Sequence, residues 1–232
     1  MDKGQTLRVA VIGAGPRGVS VLDRLLARYL ELPAADRPVL QVSMVDPFNP
    51  GPGHVWRTSQ SRQFLMNTPC LFPTVVPAGR TAEELAPSAT GLSLGQWVRL
   101  MAQDPAPALS AGDREEIARL GPADFPSRAL YGRYLEWTYA HLADAAAQAG
   151  AVVVHHRAEA LSLQRLGTGF VIDLAGEDPL AADAVVLAMG HLPAGLTPEQ
   201  NRLSDAASRL GLKYLPPAVP SDADFSVLPA GE

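Results

Sequence analysis

The stretch RVAVIGAGPRG, Arg8 to Gly18, constrains this chain more than any other part of it. Leu7–Ile12 is short, apolar and rich in β-branched residues, which reads as a buried strand. Gly13, Gly15 and Gly18 follow it at the spacing G-x-G-x-x-G. Next, Val19, Leu22, Leu25, Leu26 and Tyr29 take helical spacing. The segment ELPAADRP stops that helix, since proline cannot continue it. Val39–Val45 then reads as a second strand, closing on Asp46. Strand, glycine turn, helix and strand make a unit that builds parallel sheets.

The same turn suits a dinucleotide. Gly13 permits the tight bend, Gly15 lets backbone approach a pyrophosphate, and Gly18 lets helix and strand pack closely. The helix N-terminus offers free N–H groups and a positive dipole end to phosphate, with Pro16 and Arg17 inside the turn. Asp46 stands where a carboxylate accepts hydrogen bonds from ribose hydroxyls and disfavours a 2′-phosphate. The competing reading is a glycine corner kept for packing alone.

Residues 47–92 have little periodicity and many turn formers, yet carry Trp56, Phe64, Leu65, Met66, Leu71 and Phe72. That favours an ordered loop touching a ligand. Ser93-Leu-Gly-Gln96 reads as a capping box opening a helix, and a short helix is expected after Asp113. Ser127–Ala149 is the strongest helical pattern, with Gly150 as its stop. Three short strands are expected at Ala151–His155, Ala160–Gln164 and Phe170–Leu174. ADAVVLAMGHLP, Ala182 to Pro193, reads as a buried strand running into Gly190, and a last helix spans Pro198–Leu210. The expected class is α/β: a Rossmann-like βαβ parallel sheet with a three-strand β excursion and a helical insertion. The expected division is 1–192, with 47–126 as the loop-rich and helical insertion, and 193–232 as a helix with a proline-rich end.

Apolar residues make up 47% of the 232, enough for a core. A net charge of −5 and no basic stripe argue against nucleic acid. Cys70 stands alone, so no intrachain disulfide forms and no metal cluster is suggested; a cytoplasmic setting is expected. The first apolar run is too short for a signal peptide, and no stretch nears the roughly 20 apolar residues that span a bilayer.

GPGHVWRTSQSRQFLMNTP, FPSRALYGRYLEW and VVLAMGHLP, with the glycine turn, resemble the bacterial FAD-NAD(P)-binding protein family. That family includes FAD-dependent urate hydroxylase and is distantly similar to flavin-containing monooxygenases and amine N-hydroxylases. The resemblance covers nearly the whole chain. It implies FAD on the glycine turn, NAD(P)H as reductant, and hydroxylation of a small substrate. It also implies a later strand returning to the cofactor through Ala188-Met189-Gly190, where Met189 departs from the family's Thr. More sequence should then follow Glu232; a truncated form, a split half needing a partner chain, and a short paralogue all fit.

The resemblance places Asn67 near the flavin, to orient the ring; the plainer reading is a turn former before Thr-Pro. Trp56 either covers the flavin or packs in the core. Arg128 meets a cofactor phosphate or anionic substrate, or is solvated beside its N-cap Ser127. His191 lies by the returning turn or is an ordinary loop histidine. Asp113-Arg-Glu-Glu116 reads as a solvated helix start. Against the flavin enzyme stand a non-catalytic dinucleotide-binding module and an NAD-dependent dehydrogenase, the latter disfavoured by the strand excursion and the 47–92 loop.

Overall fold

The computed structural model describes residues 6–75, 88–192 and 195–223. The expectations for Pro193, for residues 76–87 of the long loop and for the end from 224 lie outside the described residues. Contacts divide the chain into two units, Met1–Gly190 and His191–Glu232.

In the first unit, β1 (Thr6–Ile12), α1 (Pro16–Glu31) and β2 (Val39–Val45) form the expected βαβ unit. Helices α2 (Leu94–Gln103), α3 (Ala111–Arg119) and α4 (Arg128–Gln148) follow, then β3 (Val152–His156). β4 (Ala160–Leu166), β5 (Gly169–Leu174) and β6 (Leu180–Ala182) precede β7 (Ala184–Leu187). The main sheet is parallel in the order β3-β2-β1-β7; β4-β5-β6 form a separate antiparallel sheet.

β1 is central, and alternation along it separates two cores. Val9 and Val11 face Leu22 and Leu26 of α1 and Leu130, Leu135 and Leu142 of α4. Ala10 and Ile12 face Ile172, Leu174 and Ala182 of the small sheet. Helices therefore cover one face of the parallel sheet and three antiparallel strands the other.

Three expectations change. The first of the three predicted strands, β3, pairs with β2 in the parallel sheet, because α4 acts as the crossover helix of a second strand–helix–strand unit. The third strand of the excursion is β6, three residues long and without a readable pattern. β7 is not buried: among the described residues it pairs with β1 alone and lies at the sheet edge, with Leu187 58% exposed.

The capping box at Ser93 and Gln96 opens α2 as expected. The long loop is fastened to the helices at its described end, where buried Asp23 of α1 accepts from the N–H groups of Ala89 and Thr90, each at 2.9 Å. In the second unit, α5 (Pro198–Leu210) opens on a Thr197–Gln200 capping box and ends at Gly211, φ +65°. No described helix is long and apolar enough to cross a membrane.

Candidate functional site

The glycine turn closes over the carboxyl ends of β1, β2 and β7. The Gly13 N–H donates to Val45 O at 2.7 Å, and the Ala188 N–H to Ile12 O at 2.7 Å. Gly13 has φ +100°, and a Cβ there would lie 2.4 Å from Ala188 O. A Cβ on Gly18 would lie 2.0 Å from Gly13 O, so helix and turn meet at backbone contact. Gly15 differs: the nearest atom to a Cβ on it is the Gly53 Cα, 4.0 Å away. Gly13 and Gly18 are required by the protein's own packing, whereas the hydrogen at Gly15 leaves open space at the start of α1.

That helix start is unsatisfied. Helices α2, α3, α4 and α5 are capped by the hydroxyls of Ser93, Ser110, Ser127 and Thr197. The N-cap of α1 is Gly15, with no side-chain cap and no acid in the first turn. Pro16 has no N–H to satisfy, and helix geometry leaves those of Arg17 and Gly18 without intrahelical acceptors. Such an end holds an anion through N–H donors and the helix dipole.

Asp46 bolts the turn. Its Oδ2 accepts from the Ala14 N–H at 2.8 Å and its Oδ1 from the Phe48 N–H at 2.9 Å. Each oxygen keeps a further lone pair for a hydroxyl donor. The adjoining loop is wedged between the turn and α4. The Gly51 N–H donates to Ala14 O at 2.8 Å, and a Cβ on Gly51 would sit 2.4 Å from Leu135 O. A Cβ on Gly53 would sit 3.1 Å from the Gly15 Cα. Beyond it, Trp56 meets Tyr131 edge-on at 5.1 Å, and the Arg128 guanidinium lies 5.4 Å above the Trp56 ring. Gly132 makes this seat possible, since a Cβ there would fall 2.0 Å from Trp56 O.

The structure thus brings Gly13, Gly15, Gly18 and Asp46 together. Met189 N lies 3.0 Å from the Cβ position of Gly13, and Arg17 Nη1 lies 3.3 Å from that of Gly190, joining the returning strand to the turn. Trp56 and Arg128 form a neighbouring pair on the α4 side. Asn67 is exposed, on a segment held to the start of α4 by the bond from the Met66 N–H to Pro126 O at 2.8 Å. His191 opens the second unit. His155 Nε2 meets Asp46 O at 2.9 Å, while His156 lies between Glu177 and Ser43.

Of the acids of α3 only Glu115 is solvated; Asp113 and Glu116 are not a solvated helix start. Asp113 is buried; it is the third helical residue, in a capping box with Ser110. Its carboxylate accepts from Arg62 Nη2 at 2.5 Å and lies 3.4 Å from Arg133 Nε. Burial alone would raise its pKa, but the bonds from Arg62 and Ser110 outweigh that and hold it below the usual carboxylate range. Glu116 accepts from Arg62 Nη1 at 2.6 Å and from both donors of Ser127. The readable signals were the Ser110-x-x-Asp113 box and the three-residue step to Glu116, which puts both acids on one helix face. The partner Arg62 carries no local signal. Among the described residues no group of three or more His, Cys, Asp or Glu is placed to hold a metal.

The chain is 40% identical, over 97% of its length, to an L-aspartate N-monooxygenase (nitrosuccinate-forming) from Streptomyces cremeus. It is 36% identical, again over 97% of its length, to nitrosuccinic acid synthase npaA from Aspergillus oryzae. It spans about a third of the length of these relatives, 34% and 32%. A crystal structure of a cyclohexanone monooxygenase mutant from Rhodococcus, bound to NADP+, superposes with a TM-score of 0.48 at 16% identity, covering 84% of this chain and 28% of that one. The FAD-NAD(P)-binding family profile matches residues 10–192, and the chain belongs to that family.

Proposed function

We propose that this chain is the dinucleotide-holding part of an FAD-dependent, NAD(P)H-using monooxygenase that acts on a small molecule. The observation that carries the proposal is the opening at Gly15, beside an α1 terminus without a cap. The backbone N–H groups of Arg17 and Gly18, with the Arg17 side chain, hold the diphosphate. The remaining lone pairs of Asp46 take the ribose hydroxyls. Gly13 and Pro16 shape the turn, and Met189 and Gly190 flank it. Trp56 and Arg128 face the cofactor from α4, and Asn67 orients the reacting ring. When bound, the flavin supplies the hydride and oxygen chemistry; the protein supplies binding, orientation and dryness.

The substrate reading rests on the relatives' names. An amino acid such as L-aspartate fits them better than a purine such as urate. The single cysteine suits a cytoplasmic setting. The test is the absorbance spectrum of the purified chain, followed by NAD(P)H oxidation with FAD and either L-aspartate or urate. Flavin absorbance and aspartate-stimulated oxidation are expected. A colourless protein that takes up no FAD would count against the proposal.

A second reading is a dinucleotide-binding module that turns over only with a partner chain. FAD binding without oxidation by the chain alone, restored by a partner supplying the rest of the relatives' length, would select it.

A further inference from the structure

Helices α2, α3 and α5 each close their own capping box: the N-cap N–H is satisfied by Gln96, Asp113 or Gln200 at the third helical position. In α4 that position is Leu130, which has no acceptor on its side chain. The missing acid comes from another helix. Glu116 of α3 accepts from the Ser127 N–H at 2.7 Å and from Ser127 Oγ at 2.8 Å. Ser127 Oγ in turn accepts from the Leu130 N–H at 3.1 Å, and Arg62 Nη1 donates to Glu116 at 2.6 Å. Glu116 thus completes the box of α4 in trans. It has no part in the cap of α3, where Asp113 serves.

The residue after this cap is Arg128. Its N–H donates to Phe64 O at 2.7 Å, its Nε to Leu65 O at 3.3 Å, and its guanidinium lies over Trp56. Among the described residues no acceptor meets its two terminal amino groups, and the side chain is partly exposed, which leaves them free to exchange water for an anion or carbonyl of a bound molecule. The first turn of α4 sets where this side chain starts, and Glu116 fixes the first turn.

We infer that Glu116 is a positioning residue: by completing the Ser127 cap it holds the Arg128 guanidinium over Trp56, where it meets the cofactor. The inference rests on the proposed reading that Arg128 faces FAD. The test is a double-mutant cycle on FAD affinity, read by flavin fluorescence, with melting temperatures taken for each protein. Arg128→Ala is expected to weaken FAD binding about tenfold, the scale of one charge-assisted hydrogen bond. Glu116→Ala, which removes the acceptor that a Gln would keep, is expected to weaken it severalfold, and the double variant to bind like Arg128→Ala alone. If Arg128→Ala weakens binding while Glu116→Ala does not, or if the two losses multiply, the inference is overturned and the cofactor reading stands. If Arg128→Ala binds FAD as the parent does, the reading of Arg128 falls and the inference with it. Should Glu116→Ala fail to fold, Ser127→Ala cuts the same link one step later and enters the same cycle.

Discussion

Replacing Asp113 by Asn isolates the buried charge cluster that ties α3 to α4 and to the loop at Arg62. The carboxylate is 1% exposed and takes bonds from Arg62 and from both the N–H and Oγ of Ser110. Asn keeps the shape but turns an NH2 group toward one of these donors. Removing one partner of a buried ion pair costs about 3–5 kcal/mol. Arg62 and Arg133 remain 38% and 28% exposed, so water recovers part of their solvation and the lower end applies. For a chain of this size, about 3 kcal/mol lowers the melting temperature by roughly 6–12 °C. The pH dependence has a definite sign. The pKa of Asp113 is depressed in the folded state, so its contribution is present above the unfolded carboxylate pKa of about 3.9 and is lost as pH falls through the folded value. Thermal melts of both proteins from pH 8 to pH 3 read this directly. The gap between them should be constant near neutrality and narrow below about pH 4. A variant melting within 2 °C of the parent at pH 7 (roughly 1 kcal/mol or less), or a gap that widens in acid, refutes the reasoning.

Gly18→Ala places a Cβ 2.0 Å from Gly13 O and should destabilise by about 1–3 kcal/mol or more, seen as a lower urea midpoint with or without FAD. Asp46→Asn turns an amide NH2 toward the N–H of Ala14 or Phe48; a disordered turn should weaken FAD binding about tenfold in a flavin-fluorescence titration, and an unchanged affinity would mean that the carboxylate does not organise the site.

The parts of the fold legible in the sequence are those set by local chemistry. Val39–Val45 and Pro198–Leu210 have in the structure the bounds expected of them, because a β-branched run and a Thr-Pro start with a Gly stop are local signals. The partner sheet of β3 was not legible: VVVHH states a strand, but only the path of α4 decides which edge it joins. β6 is too short for any period. β7 reads as buried from its composition, yet burial depends on what lies beside the strand. At the site, the tight bend at Gly13 and the close packing at Gly18 follow from motif spacing. The role of Asp113 does not, since a surface acid and a buried one look alike until Arg62, distant in sequence, is placed against it.

The central claim is that the space left by the hydrogen of Gly15 receives the diphosphate of FAD. Gly15 has an ordinary extended backbone, and a Cβ there would meet only the Gly53 Cα, at an ordinary contact distance of 4.0 Å, so Gly15→Val should fold. Equilibrium titration of that variant with FAD, with ADP as competitor against the parent protein, measures the claim. ADP displacing FAD from the parent, and no FAD binding by a folded Gly15→Val protein, is the predicted result. A folded Gly15→Val protein that binds FAD as tightly as its parent contradicts it.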